Sequence, residues 1–488
     1  MQTPPRCPEN LWRYHCPQGW AVQGCETSLL NEKSFFFRKS SFQIRKNSVY
    51  YVVTLYPFCR YYSQMACRRV VVTGMGIVAP QCRSLEELWN LLISGSSAVR
   101  PYDGYGLVSL AAPADFDGHI SAFDTQDPAQ QKAIRKSLKV MSREIQMAVA
   151  ASCRALSEAK IPVGQFPPDR IGISYGSDYI ITTPEDLLDA YRSCMIGSQF
   201  DFPRWGTTGL PKMNPLWQLK YLPNMPASHI AILNDFHGPS NSITLREASI
   251  GAVIGESVET IVSGRADVMV IGTTGSRLHP FKLLHAKQHE ELSETACRPF
   301  DAHRDGTILG EGAGALILEE MEHAKKRGAD CWAEIVCGSY RCRLDRTGQD
   351  FRRETVRNVL ENVLRKGELL PEQIGHVDAH GLGSKSSDSA EAAGILDVFG
   401  KRTVPIPVTT AKGCFGNLGA GSGTIELIAS ILALRNQVLY PTLNFSAADS
   451  SCPLSVVQGM DIPAGDSFVK IAMSPQSQVS AVLVRKAC

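Results

Sequence analysis

The chain has 488 residues, of which 44% are hydrophobic and 20% charged, with a formal net charge of +2 at pH 7. That balance suits a soluble globular protein of two or three domains, or one large duplicated fold, and excludes the basic excess of a bulk nucleic-acid binder. The apolar stretch at Val49–Phe58 is shorter than the ~20 residues of a membrane span, and 15 scattered cysteines without metal spacing read as reduced core thiols of a cytoplasmic protein.

Residues 1–64 hold eight Lys/Arg against three Glu, with clustered aromatics and no regular apolar period. They are expected to be an N-terminal extension, either disordered or outside the mature protein. A basic, acid-poor transit segment is the alternative. Met65 looks like the natural start of a domain, and from Arg68 onward the pattern is α/β. "RRVVVTGMGIV" reads as a buried strand, and "SLEELWNLLISG" and "MSREIQMAVAASCRALSEAKI" as amphipathic helices. "RIGISYGS" and "ADVMVIGTTGS" are further strands, and "GTILGEGAGALILEEMEHAKKRGA" reads as a Gly-rich strand pair running into a basic segment. A second series starts at "CWAEIVCGSY". It continues through the helix "ETVRNVLENVLRKGEL", the strand "IGHVDAHG", the helix "SSDSAEAAGILDVFG" and "IELIASILALRNQVL". Alternation of this kind predicts mostly parallel, buried sheets. The repeated rhythm points to duplication, with one half at 65–328 and the other at 329–488.

Some motifs point to chemistry that their surroundings do not support. "GMGIVA" at Gly74–Ala79 fits a dinucleotide turn, but Pro80 stands where a helix should open, so a tight strand-to-loop turn is expected. "GEGAG" and "GNLGAGSG" lack the Lys-Ser/Thr ending of a phosphate loop and read as close backbone packing. His285 and His289 have metal-ligand spacing without the accompanying Glu, which reads as a solvated face. "SITLREASIGAVIGES" places two charges, Arg246 and Glu247, between two apolar elements. By itself Glu247 would be a first-turn carboxylate facing the helix dipole.

"RRVVVTGMGIVAP", "GPSNSI", "RPFDAHRDGTILGEGAGALILEEMEHAKKRGA", "VDAHGLGSKSSDSAEAAGI" and "TTAKGCFGNLGAGSGTIELIASILALRNQVLYPTLNF" together resemble the β-ketoacyl-ACP synthase family. The resemblance runs from about Arg68 to the C-terminus. It implies a thiolase-like duplicated fold with layered helices and mixed sheets (αβαβα), and dimeric assembly. It also implies a substrate carried on the phosphopantetheine arm of acyl carrier protein, with no cofactor or metal of the protein's own. A family member holds the acyl chain on a cysteine at the start of a buried helix, and two histidines and a lysine assist decarboxylation of the malonyl partner.

Counted from "GPSNSI", the nucleophile position falls on Glu247, and no cysteine lies between Cys194 and Cys297. His380 and Lys412 keep the first histidine and the lysine, and Glu391 stands at the acidic position. The second histidine falls on Asn417, and His380 is the last histidine in the chain. The Gly-rich, phenylalanine-bearing loop is replaced by "AMSPQSQVSAVLV". A carboxylate attacking a thioester would give a mixed anhydride too reactive to store a chain, so ordinary condensation is expected to be lost. Other roles remain for the singled-out residues: Glu391 as a helix-start carboxylate, Asn417 as a left-handed turn residue, and Arg246 as the partner of a carboxylate on another chain.

The leading expectation is a chain-length-factor-like partner of an intact ketosynthase in a heterodimer; a stable, active homodimer would instead favour an enzyme. A second is an enzyme acting on acyl thioesters: a malonyl-ACP decarboxylase using His380, Lys412 and Asn417, or a reaction with Glu247 as general base. Cys414, three residues from Asn417, would be a displaced nucleophile in one variant. A third is a degenerate subunit that binds acyl carrier protein without chemistry.

Overall fold

In the computed structural model, the apolar run Val70–Val78 forms strand β1, buried along its whole length. The structure describes the backbone of residues 40–46 and 49–55, and residues 68–487 apart from 104, 126, 162–163, 165 and 345–349. The chain divides into two units, Met1–Cys67 and Arg68–Cys488. In the first unit, Ser40–Lys46 and Val49–Leu55 pair antiparallel, with Ser40 opposite Leu55. Regular structure was not expected there, yet these segments are rich in β-branched and aromatic residues that favour strands. The rest of the expected extension lies outside the described residues.

In the second unit the first series supplies β1, β2 (Ile171–Ser177), β3 (Ser240–Thr244), β4 (Val268–Ser276) and β5 (Glu311–Glu320). The second supplies β6 (Ala333–Cys342), β7 (His376–Asp378), β8 (Pro407–Thr409), β9 (Ser467–Met473) and β10 (Gln478–Arg485). Both sets hydrogen-bond in the same spatial order of third, second, fourth, fifth and first strand. In each set the second strand is parallel to the third and fourth, while the fourth, fifth and first are antiparallel. The sets join edge to edge where Ala333–Ile335 pair with residues 72–70, making one continuous sheet with a short outer strand, Ser455–Val456. Matching order and direction in both halves are the structural counterpart of the duplicated rhythm.

Helices complete the layers: α1 (Leu85–Ile93), α2 (Arg143–Glu158), α3 (Ser249–Val262), α4 (Pro280–His289), α5 (Arg352–Gly367), α6 (Lys385–Phe399) and α7 (Gly421–Asn436). Helix α1 starts where Ser84 accepts the Glu87 N–H, and α2 starts where Ser142 accepts that of Ile145. Helix α2 packs on β1 and β5, α5 on β6 and β10, and α3 and α7 pack between the halves. Residues 421–434 of α7 are buried on all sides, the composition of a helix inside a core rather than on its surface.

The glycines explain how closely these layers approach. A Cβ on Gly74 would lie 2.3 Å from the Ala155 carbonyl oxygen, and one on Gly76 would lie 2.2 Å from that of Ala151. "GMGIVA" is therefore not a strand-to-loop turn: Gly74–Val78 form the second half of β1, against which α2 packs, and Ala79 follows it. The expected strand pair at Gly306–Ala329 is one ten-residue strand, β5, followed by the short helix Met321–Lys326. "GEGAG" and "GNLGAGSG" do serve close packing, since a Cβ on Gly421 would meet the Gly312 carbonyl oxygen at 2.1 Å. No helix among the described residues is long and apolar enough to cross a membrane.

Candidate active site

The carboxyl ends of the parallel strands converge on one point, the usual place for a ligand in an α/β sheet. Strand β2 leads to Asp178, β3 to Arg246 and Glu247, and β4 to Arg277; α4 brings Glu290 to the same place. From the other half, β7 leads to His380 and the turn after β8 carries Asn417. Glu247, His380 and Asn417 line one cavity of about 110 Å³, with Leu382, Ser384 and Met473 on its wall.

Glu247 lies in a single helical turn, Arg246–Ala248, before α3. Arg246 takes φ +52° there, and the Ser249 hydroxyl steadies the turn by donating to the Arg246 carbonyl at 2.8 Å. Glu247 is 1% exposed. Its Oε1 accepts from Asn417 Nδ2 at 3.0 Å and from Arg277 at 3.3 Å. Its Oε2 faces Arg246 Nε at 3.4 Å without forming a hydrogen bond. Burial alone would push the Glu247 carboxyl up, but Arg246, Arg277 and the Asn417 amide outweigh burial and hold it below the usual range. Glu247 is thus an ionised, clamped carboxylate.

The clamp continues through Glu290, which pairs with Arg277 at 2.7 Å and with Arg246 at 3.3 Å, while Asp178 stands 4.0 Å from Arg246. Burial pushes the Asp178 carboxyl up. Arg246 therefore finds its carboxylates within its own chain, which corrects the expectation of a partner on another chain. Arg277, Glu290 and Asp178 carry no motif in the sequence. For Arg277 and Asp178 the one signal is a charge just after an apolar, Gly-containing strand, where burial demands a counter-ion; Glu290, just after α4, has none.

His380 is 2% exposed and its Nδ1 has no hydrogen-bond partner. Burial, reinforced by the nearby Lys412, pushes the imidazole well below its ordinary value, so it is neutral. Glu391 holds this loop from behind, its carboxylate accepting the His380 N–H at 2.6 Å and the Gly381 N–H at 2.9 Å. It sits in the second turn of α6, not at the helix start, and burial raises it to about 7. Asn417 is not in the left-handed region; Gly416 and Gly419 take that conformation on either side, at φ +66° and +63°. Its side chain is directed by function of contact instead: Oδ1 accepts the Gly419 N–H while Nδ2 reaches Glu247.

Lys412 lies behind the cavity rather than in its wall. Its ammonium donates to Glu426, which also pairs with Lys470 at 2.6 Å, and Lys470 reaches Asp378 at 3.4 Å. All four side chains are fully buried. Burial raises the Cys414 thiol to about 12, so it remains a packing thiol and not a thiolate. His285 and His289 are exposed, His289 at the cavity mouth. Among the described residues no group of three or more His, Cys, Asp or Glu side chains is placed to hold a metal ion. Where the Gly-rich loop was missing from the sequence, β9 and β10 form a hairpin, with Ser477 at φ +57° and Met473 and Ser474 on the cavity wall.

The N-terminal domain of beta-ketoacyl synthase, as a family model, matches residues 67–324, and the C-terminal domain matches residues 341–446. A putative polyketide beta-ketoacyl synthase 1 of Streptomyces cyaneus is 32% identical over 406 residues, covering 80% of this chain and 91% of that protein. The 3-oxoacyl-[acyl-carrier-protein] synthase 2 of Coxiella burnetii is 28% identical over 400 residues, covering 80% and 92%. Among solved structures, a beta-ketoacyl synthase from Burkholderia phymatum superposes with a TM-score of 0.75 at 25% identity, over 86% of this chain and 100% of that one. The ishigamide ketosynthase/chain length factor superposes with a TM-score of 0.73 at 23% identity, over 87% and 100%, a likeness of fold.

Proposed function

The chain belongs to the β-ketoacyl synthase family, and from that premise we propose that it is a non-condensing subunit of fatty-acid or polyketide synthesis, similar to a chain length factor and partnered by an intact ketosynthase. One observation supports this reading: Glu247, which the resemblance places at the nucleophile position, is a buried carboxylate clamped by Arg277 and Asn417. A thioester is stable enough to store an acyl group, whereas the anhydride a carboxylate would form is not. The residue at the second histidine position, Asn417, directs its amide at Glu247 and so serves the clamp. The cavity of about 110 Å³ is also small against the ~300–1,000 Å³ of ordinary ligand pockets. The substrate arm would arrive on an acyl carrier protein, and the condensing cysteine would come from the partner.

A second reading, decarboxylation of a malonyl thioester, is favoured by the neutral His380 on the cavity wall. Against it, Glu247 presents a negative charge to the incoming malonyl carboxylate, and the Lys412 ammonium is occupied by Glu426.

The test combines the chain with an intact ketosynthase from its own source and malonyl- and acyl-loaded carrier protein, read by native and intact-protein mass spectrometry. The expected result is a one-to-one assembly with acyl mass on the ketosynthase and none on this chain. Acyl mass on this chain, or condensation by this chain alone, would overturn the reading. Carbon dioxide release that disappears in His380→Ala would favour the second reading.

A further inference from the structure

Helix α4 carries two exposed histidines, His285 and His289, four residues apart. That spacing places both side chains on one face of the helix, one turn apart. Their rings are neighbours, with centroids 4.7 Å apart and planes inclined by 49°. Neither imidazole has another polar partner among the described residues. Lys287, two positions from each, does not share their face and lines a separate cavity beside residues 106–110.

The separation of the rings is that of two imidazoles sharing one metal ion. A metal ~2.0–2.1 Å from one nitrogen of each ring lies about 3.2 Å from each ring centre, so two such ligands at roughly 90–110° have centres about 4.5–5.2 Å apart. The observed 4.7 Å falls inside that range. Both side chains are exposed, and rotation about the Cβ–Cγ bond of histidine is soft, so one nitrogen of each ring can turn to a common point. His289 is also the last residue of α4, and the carbonyl end of a helix attracts a cation.

We propose that His285 and His289 form a binding site for a divalent transition metal, with water in its other coordination positions. Imidazole suits Cu²⁺, Ni²⁺ and Zn²⁺, whereas Mg²⁺ and Ca²⁺ take oxygen ligands. Among the described residues no third His, Cys, Asp or Glu is placed to complete the set, so the metal keeps open positions, unlike that of a closed structural site. His289 lies at the mouth of the cavity that Glu247, His380 and Asn417 line, so a metal held there stands at the cavity entrance. The site is independent of the reading of Glu247.

The experiment titrates the full chain with Ni²⁺, Zn²⁺ or Mg²⁺ alone, by calorimetry and native mass spectrometry, and with Cu²⁺ by electron paramagnetic resonance. The wild type should bind one Ni²⁺ at its tightest site, more weakly than Cu²⁺ and far more tightly than Mg²⁺. His285→Ala and His289→Ala should each weaken Ni²⁺ binding at least ~10-fold, since losing a ligand costs no less than losing the partner that supports one. Lys287→Ala should leave binding unchanged. Without metal, both histidine variants should keep the wild-type thermal midpoint, because the side chains are exposed, so lost binding would not reflect unfolding. Bound Cu²⁺ should show coupling to two imidazole nitrogens in the wild type and to one in either variant. Ni²⁺ binding no tighter than Mg²⁺ binding, Ni²⁺ binding undiminished in either histidine variant, or a Cu²⁺ spectrum unchanged by both substitutions would overturn the inference.

Discussion

The two halves place charged residues at equivalent corners, after the third strand and before the helix that packs between the halves. After β3 stand Arg246 and Glu247, clustered with Arg277, Glu290 and Asp178; after β8 stands Lys412, linked to Glu426, Lys470 and Asp378. The first corner borders a cavity, with Glu247 and Glu290 on its wall. The second is closed off from solvent, with all four members fully buried. One topology thus yields a site in one half and an internal brace in the other. What separates them is whether a cavity reaches the charges.

Breaking the sealed network should have the largest effect. Glu426→Ala leaves two lysines buried beside each other, and loss of one partner of a buried pair costs about 3–5 kcal/mol. It should show the lowest thermal midpoint of the variants considered, and a midpoint equal to that of the wild type would mean the corner is not a brace. At the open corner, Arg277→Met leaves Glu247 with Arg246 and Asn417, so the cost should be smaller, roughly 2–3 kcal/mol. A double-mutant cycle with Glu247→Gln should return a coupling of about 1–3 kcal/mol. Additive effects would show that the two side chains do not interact. Asn417→Ala removes one hydrogen bond to a charged group, worth about 1.5–3 kcal/mol by chemical denaturation. Asn417→His tests shape rather than charge: a ring at this position must still donate to Glu247 to avoid that loss.

The smallest effect concerns pH. Burial raises Glu391 to about 7 and Asp388 to about 6, above their ordinary unfolded values. The folded state therefore binds more protons than the unfolded state between roughly pH 4 and 7, and stability from these groups falls as pH rises through that window. Glu247 has the opposite sign: its carboxyl is held down, so its contribution is present above the unfolded value and is lost on acidification. Glu391→Gln should flatten the fall of the thermal midpoint between pH 5 and 8, although one of its two backbone N–H contacts is lost at every pH. An unchanged slope would show that Glu391 does not titrate there.

Much of this was legible in the sequence because it is local. Val70–Val72 and Ile77–Val78 mark a strand by composition, α2 carries its period and its Ser142 cap within twenty residues, and α5 carries its period. Glu247, His380 and Asn417 were found through the motifs around them, and they share a cavity. What was not legible depends on chain segments distant in sequence. Nothing near Gly74 announces that α2 will press on it, and nothing near Arg277 announces Glu247 thirty residues away. The second network did leave a trace: Asp378 in "GHVDAHG", Glu426 in "TIELIAS" and Lys470 in "FVKIAM" are single charges inside apolar runs. Charges so placed must find one another, since a buried unpaired ion is too costly to keep.

The most direct measurement is the ionisation of Glu247 itself, from the infrared difference spectrum between wild type and Glu247→Gln across pH 5 to 8. The expected result is an ionised carboxylate band at every pH, as Arg277, Arg246 and Asn417 require. A protonated carboxyl band that gives way to carboxylate within that range would contradict the clamp, and with it the reason given for proposing a non-condensing subunit.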